Sequence, residues 1–227
     1  MRLPIIIAAC IAAAVPSAVT AQTPRELLTL AAFRTTDKTK ALSYIDQALN
    51  ASEKTLAVTP RDREASLQRG IAIGYRARLK RSRSDAKAAL AIFTRLAAED
   101  PKDPDAQMVI AGWHLDSIDQ LGGFVARTAL GARSQAGEAA LAKAVSLGGN
   151  RAFYPGLAAL MDIRRDEEDL GRARRWAEAA ASAPAPTTLD AIMKRAAITI
   201  LPALRSNDGA KAAKLSRRLL PFGTLAD

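Results

Sequence analysis

Cysteine and histidine are each present once in the 227 residues, as Cys10 and His114. A zinc site assembled from those ligands is therefore excluded. Cys10 lies in a segment expected to be removed, so no disulfide framework is available and stability must come from packing. Aromatic residues make up only 4% of the chain. No stretch beyond the first 21 residues approaches the roughly 18 uninterrupted apolar residues of a membrane span. No alternating, strand-like run of useful length is present either. Gly122-Gly123 and Gly148-Gly149 lack the lysine and hydroxyl that follow the glycines of a phosphate-binding loop, and both read as structural. No nucleophile elbow accompanies His114, whose nearest helical neighbour of interest is Ser117, so the lone histidine reads as a partly buried residue beside Trp113. No enzyme activity and no cofactor or metal is expected.

The first 21 residues read as a cleavable secretory signal peptide. Arg2 supplies the positive start, Leu3–Val15 is apolar, Pro16 breaks the run, and Val19-Thr20-Ala21 places small residues before a cut after Ala21. The rival reading, lipidation of Cys10, leaves only seven apolar residues ahead of the cysteine and is disfavoured. The full chain carries a net charge of +10; losing residues 1–21 takes away Arg2 and no acid, leaving +9. A basic exported protein favours anionic partners over nucleic acid. Expected location is periplasmic or secreted, with residues 22–227 forming one domain.

Hydrophobic residues are 49% and charged residues 25%, a globular composition rich in alanine, the strongest helix former. In Asp85–Glu99 the apolar residues Ala86, Ala89, Leu90, Phe93, Leu96 and Ala97 fall on one helical face, with Ser84 or Asp85 as the expected cap. Asp105–Ile118 is apolar on two faces, as a helix sandwiched between neighbours must be. Thr187 or Thr188 is the expected cap of a helix after Pro184-Ala185-Pro186, and Gly148-Gly149-Asn150 the stop of another.

Similar sets recur along the chain: Ala41/Ile45/Ala48, Ala89/Phe93/Leu96 before Pro101, Gly137/Leu141/Ala144 before Gly149, Trp176/Ala179 before Pro184, and Gly209/Ala213 before Pro221. Each places a bulky or small apolar residue, an apolar one three or four positions on, and most a breaker beyond. The pattern resembles the second helix of a tetratricopeptide repeat; Asp103-Pro104-Asp105-Ala106 with Gly112-Trp113, and Gly70/Gly74/Tyr75, are similar to the first. The spacing Ile45–Phe93–Leu141–Trp176 exceeds the family's period at first, which calls for longer helices or connections. Gly112-Trp113, the long connection to Gly137, and Ala173–Trp176 also look like the repeat domain of the regulator of microtubule dynamics proteins, a likeness that supports the fold and carries no microtubule role. The resemblance implies an all-α, tetratricopeptide-like α-solenoid of about five antiparallel helix pairs, with Phe93 and Trp176 locking one helix against the next.

Charge is unevenly placed. No acid occurs between Glu64 and Asp85, a stretch that holds Arg69, Arg76, Arg78, Lys80, Arg81 and Arg83. Intra-helix pairing at i±3 or i±4 is thus denied to most of them, which marks Arg76, Arg78, Lys80, Arg81 and Arg83 as a candidate site for anionic ligands. A second excess runs through Lys194, Arg195, Arg205, Lys211, Lys214, Arg217 and Arg218, opposed by Asp208. The cluster Asp162, Asp166, Glu167, Glu168 and Asp169, among arginines, lacks the glycine and ligand spacing of a calcium loop and reads as a solvated turn. Leu121–Ala132 is apolar with one charge, Arg127, and reads either as an extension of its flanking helices or as a cover over a groove. The leading expectation is an exported interaction module or scaffold holding a protein or peptide. The alternative is a peripheral envelope protein docking anionic lipid or polysaccharide through the basic patches.

Overall fold

The computed structural model describes residues 22–225; the expected export segment, Met1–Ala21 with Cys10, lies outside the described residues. Among the described residues the chain is wholly helical: α1 (Pro24–Phe33), α2 (Lys38–Val58), α3 (Arg63–Lys80), α4 (Arg83–Glu99), α5 (Pro104–Leu121), a short α6 (Gly123–Val125) running into a π-turn (Ala126–Leu130), α7 (Ser134–Leu147), α8 (Phe153–Arg165), α9 (Gly171–Ser182), α10 (Thr188–Arg205) and α11 (Gly209–Leu219). The helices pack in pairs, α1/α2, α3/α4, α5/α7, α8/α9 and α10/α11, and the first helix of each pair also touches the first helix of the next. This is consistent with an α-solenoid.

Local chemistry sets the boundaries. Thr23 and Thr187 close capping boxes with Glu26 and Asp190, and Asp37, Asp62, Ser82, Asp103 and Asp208 each accept a hydrogen bond from a first-turn backbone N–H. Helix α4 starts two or three residues earlier than its apolar pattern suggests, because Ser82, rather than Ser84 or Asp85, is the cap: its hydroxyl accepts from the Asp85 N–H at 3.2 Å. The α3–α4 connection shrinks to Arg81 and Ser82, with Arg81 in the left-handed region at φ +53°. The long early spacing has two sources, the 21 residues of α2 and the insertion between α5 and α7.

The bulky positions Ile45, Phe93 and Leu141 are buried, flanked by fully buried Ala41, Ala48, Ala89 and Ala144. Phe93 and Gly70 form a bulky-into-small contact within the α3/α4 pair: a Cβ on Gly70 would sit 2.6 Å from the Phe93 ring. The expected register fails on α9. Its buried stripe is Ala173, Ala177 and Ala180, while Trp176 is half-buried with the Arg172 guanidinium 5.0 Å from its ring and Ala179 faces solvent. Three alanines let α9 approach α8 and α10 closely, and the indole covers the edge of that seam instead of filling it.

This difference is measurable. Phe93→Ala should cost about 3–5 kcal/mol, and Trp176→Ala less, because its indole lies at the edge of the seam with part of its surface exposed. Urea unfolding of both variants checks the ordering; equal losses would restore the original register.

Candidate functional site

The first helices of all five pairs face a common cavity of about 770 Å³. Its middle is apolar, with Leu28 and Phe33 from α1, Ile71 and Tyr75 from α3, Met108 and Val109 from α5, Leu157 and Met161 from α8, and Leu189 from α10. Gly112 lies in the α5 wall, where a Cβ would meet nothing within 4 Å. Glycine inside a helix costs roughly 1 kcal/mol relative to alanine, and here no protein atom needs the space.

Polar networks bound this apolar middle. Near the helix N-termini, Arg25 on α1 donates to Glu64 on α3 (2.8 and 2.9 Å) and to Asp105 on α5 (3.1 Å). Tyr154 on α8 donates its hydroxyl to the same Asp105 at 2.8 Å. Arg151, stacked 5.5 Å from the Tyr154 ring, donates to Asp190 on α10. Thus one chain of contacts crosses α1, α3, α5, α8 and α10. Burial works against the Arg25 charge, but Glu64 and Asp105 outweigh it and hold the guanidinium above its ordinary value. Burial and the Asp105 carboxylate both push the Tyr154 phenol up. Burial also raises the Asp190 carboxyl, yet hydrogen bonds from Thr187, Arg151 and the Phe153 N–H prevail and lower it overall.

Toward the other end of α5, Asp116 accepts from Arg78 on α3 at 2.8 Å and from Arg164 on α8 at 2.9 Å, and Arg164 also pairs with Asp119 at 3.3 Å. Tyr75 lies beside them, its phenol pushed up to about 12, mainly by burial. Leu220 and Pro221, following α11, complete the wall. The next residue, Phe222, packs edge-on against Tyr75 at a centroid distance of 4.8 Å, sits under Arg78, and donates its backbone N–H to the Ala32 carbonyl at 2.7 Å.

The five candidate basic residues separate. Arg76 is tied to Asp85 on α4 at 2.9 Å and Arg78 to Asp116 on α5, so inter-helix carboxylates take up two charges that have no partner within α3. Arg83 donates to the Ala129 carbonyl at 2.9 Å. Lys80 and Arg81 have no carboxylate partner among the described residues and are exposed, Arg81 at the cavity rim. In the second basic group, Arg205 and Arg217 lie 3.8 Å from Glu178 and Glu167. The acidic cluster is divided: Asp162 is buried between Arg165 and Arg172, while Asp166 accepts two backbone N–H groups in the α8–α9 turn, which lower its carboxyl. The segment after α5 forms one lip of the cavity through Leu121, Val125, Ala129 and Leu130, and is not an extension of either flanking helix.

His114 points away from this network, its Nδ1 accepting the Arg133 backbone N–H at 3.3 Å and its ring edge-on to Trp113. Burial first, and the Arg133 charge second, lower its pKa below the ordinary 6.5. Above that value both folded and unfolded chains hold a neutral imidazole. Below it the unfolded chain binds a proton that the folded chain refuses, so stability falls as pH drops from 6.5 through the folded pKa. Melting temperature measured against pH should show this decline in the wild type, and H114Q should flatten it.

No family model matches the chain, and no curated protein or solved structure matches it.

Proposed function

We propose that the protein is an exported, tetratricopeptide-like interaction module that holds a segment of a protein or peptide partner in the cavity faced by the first helix of each pair. The observation that carries this reading is the cavity itself: about 770 Å³ with an apolar middle, polar networks on its flanks and an unfilled glycine wall. Ligand sites are characteristically concave and mostly apolar, with a few fixed polar groups. An extended peptide with a short apolar centre and charged flanks matches that layout.

Binding is favoured over catalysis because the charged groups around the cavity hold one another. Arg25 is held by Glu64 and Asp105, Asp105 also by Tyr154, and Arg78 and Arg164 by Asp116, with Asp119 on Arg164 as well. The repeat reading draws on the buried Ile45, Phe93 and Leu141 and on the paired helices. Export rests on the Met1–Ala21 pattern.

Gly112 provides the test. Gly112→Ala should raise stability by about 0.5–1 kcal/mol through helix propensity alone. Gly112→Phe should place a ring in the cavity, since the first side-chain carbon at this position meets nothing within 4 Å. Displayed peptide libraries panned on the wild type should enrich sequences with an apolar centre and charged flanks, and binding of those peptides should be lost in G112F with folding intact. Failure to enrich any such sequence, or equal binding to G112F, would remove the cavity as the site.

A further inference from the structure

Beyond the cavity reading, we infer that the turn following α5, whose inner side forms the cavity lip and whose outer side carries Phe124 and Arg127, is a membrane-docking tip that inserts into an anionic bilayer surface. Phe124 is 81% exposed, and Val125 and Leu121 beside it are 47% and 44% exposed. Large side chains of this kind are normally withdrawn from water, and three on one short projection form a patch that asks for an apolar partner. The projection is firmly built. Gly122 and Gly131 turn the chain at φ +76° and +78°, Ala126 and Ala132 are buried against Trp113 and its neighbours, and Thr128 donates to the Phe124 carbonyl at 3.0 Å. Phe124 is thus held outward by an anchored base, with the exposed parts of Leu121 and Val125 beside it at the cavity lip.

Charge identifies the partner. Arg127 lies within the turn, and Arg83 reaches it by donating to the Ala129 carbonyl; Arg81 is two residues away from Arg83 and exposed. The neighbouring carboxylates are already engaged: Asp85 by Arg76, Asp116 by Arg78 and Arg164, and Asp119 by Arg164. An apolar tip with unopposed cations around it is the pattern of an interfacial anchor, whose binding combines apolar burial with attraction to anionic lipid. A second copy of the chain suits the surface poorly, since a two-fold interface places like cations opposite each other. Among the described residues no helix is long and apolar enough to cross a membrane.

The test is flotation of the purified protein with vesicles of phosphatidylcholine alone and of an equal mixture with phosphatidylglycerol. The wild type should float with the anionic vesicles and not with the neutral ones, and salt should weaken the binding. Phe124→Ala should reduce partitioning at least about tenfold, and Arg127→Ala about fivefold, the equivalent of roughly 1 kcal/mol per cation near the surface. Neither should alter the melting curve, because both side chains are exposed. The indole introduced by F124W should be quenched by brominated lipid. G112F should float like the wild type, which separates this surface from the cavity. The inference is overturned if the wild type ignores anionic vesicles at low salt, if F124A floats equally well, or if F124W escapes quenching. A wild type that ignores vesicles but binds a soluble protein in a Phe124-dependent way would assign the tip to a protein partner instead.

Discussion

Phe222 joins the last helix pair to the first, and the shape of the cavity depends on that closure. In a stack of helix pairs each unit contacts its neighbours, so the ends have the fewest partners and open most easily. Here the segment after α11 returns to α1 and α3. The Phe222 N–H binds the Ala32 carbonyl, and the Thr224 hydroxyl reaches the Thr35 carbonyl at 3.4 Å across 189 positions of sequence. Phe222 adopts φ +62°, a conformation that costs a bulky residue about 1–3 kcal/mol. Burying its ring against Tyr75 and Arg78 returns a similar amount, roughly 2–3 kcal/mol. The strained backbone persists because ring, amide and preceding Leu220 are all held at once.

The same closure organises the charges. Arg78 stacks on Phe222 while binding Asp116, which also binds Arg164, so the returning segment, α3, α5 and α8 share one contact set. At the opposite end Asp105 performs the corresponding role for α1, α5 and α8. Exposed ion pairs contribute little individually, and removing one partner of a withdrawn pair costs far more than the pair contributes. Arg164, only 6% exposed, is the most withdrawn member. Its value lies in fixing the separation of helices around a space that apolar side chains do not fill.

Periodicity made the helices legible, because burial of one face at 3.6-residue spacing needs no knowledge of the neighbouring element; Ile45, Phe93 and Leu141 were placed correctly for that reason. Trp176 was not, since the Ala173, Ala177 and Ala180 stripe gives no size contrast to set the register and the indole drew attention to the wrong face. Basic residues on α3 looked unpaired because their partners, Asp85 and Asp116, come from other helices and only tertiary packing brings them close. The Leu121–Ala132 segment was recognisable as unusual, and one of its two readings, a cover at a groove, matches its position at the cavity lip. Nothing local announced the cavity networks or the return of Pro221-Phe222 to α1, which exist only in the assembled stack. Gly112 was visible as a motif residue, but its empty surroundings were not.

Amide hydrogen exchange on F222A tests the closure most directly. If Phe222 holds the two ends together, exchange should quicken in α1, residues Pro24–Phe33, together with α11, while α4 and α7 keep their protection. Faster exchange confined to the residues around position 222, with α1 unchanged, would contradict the account.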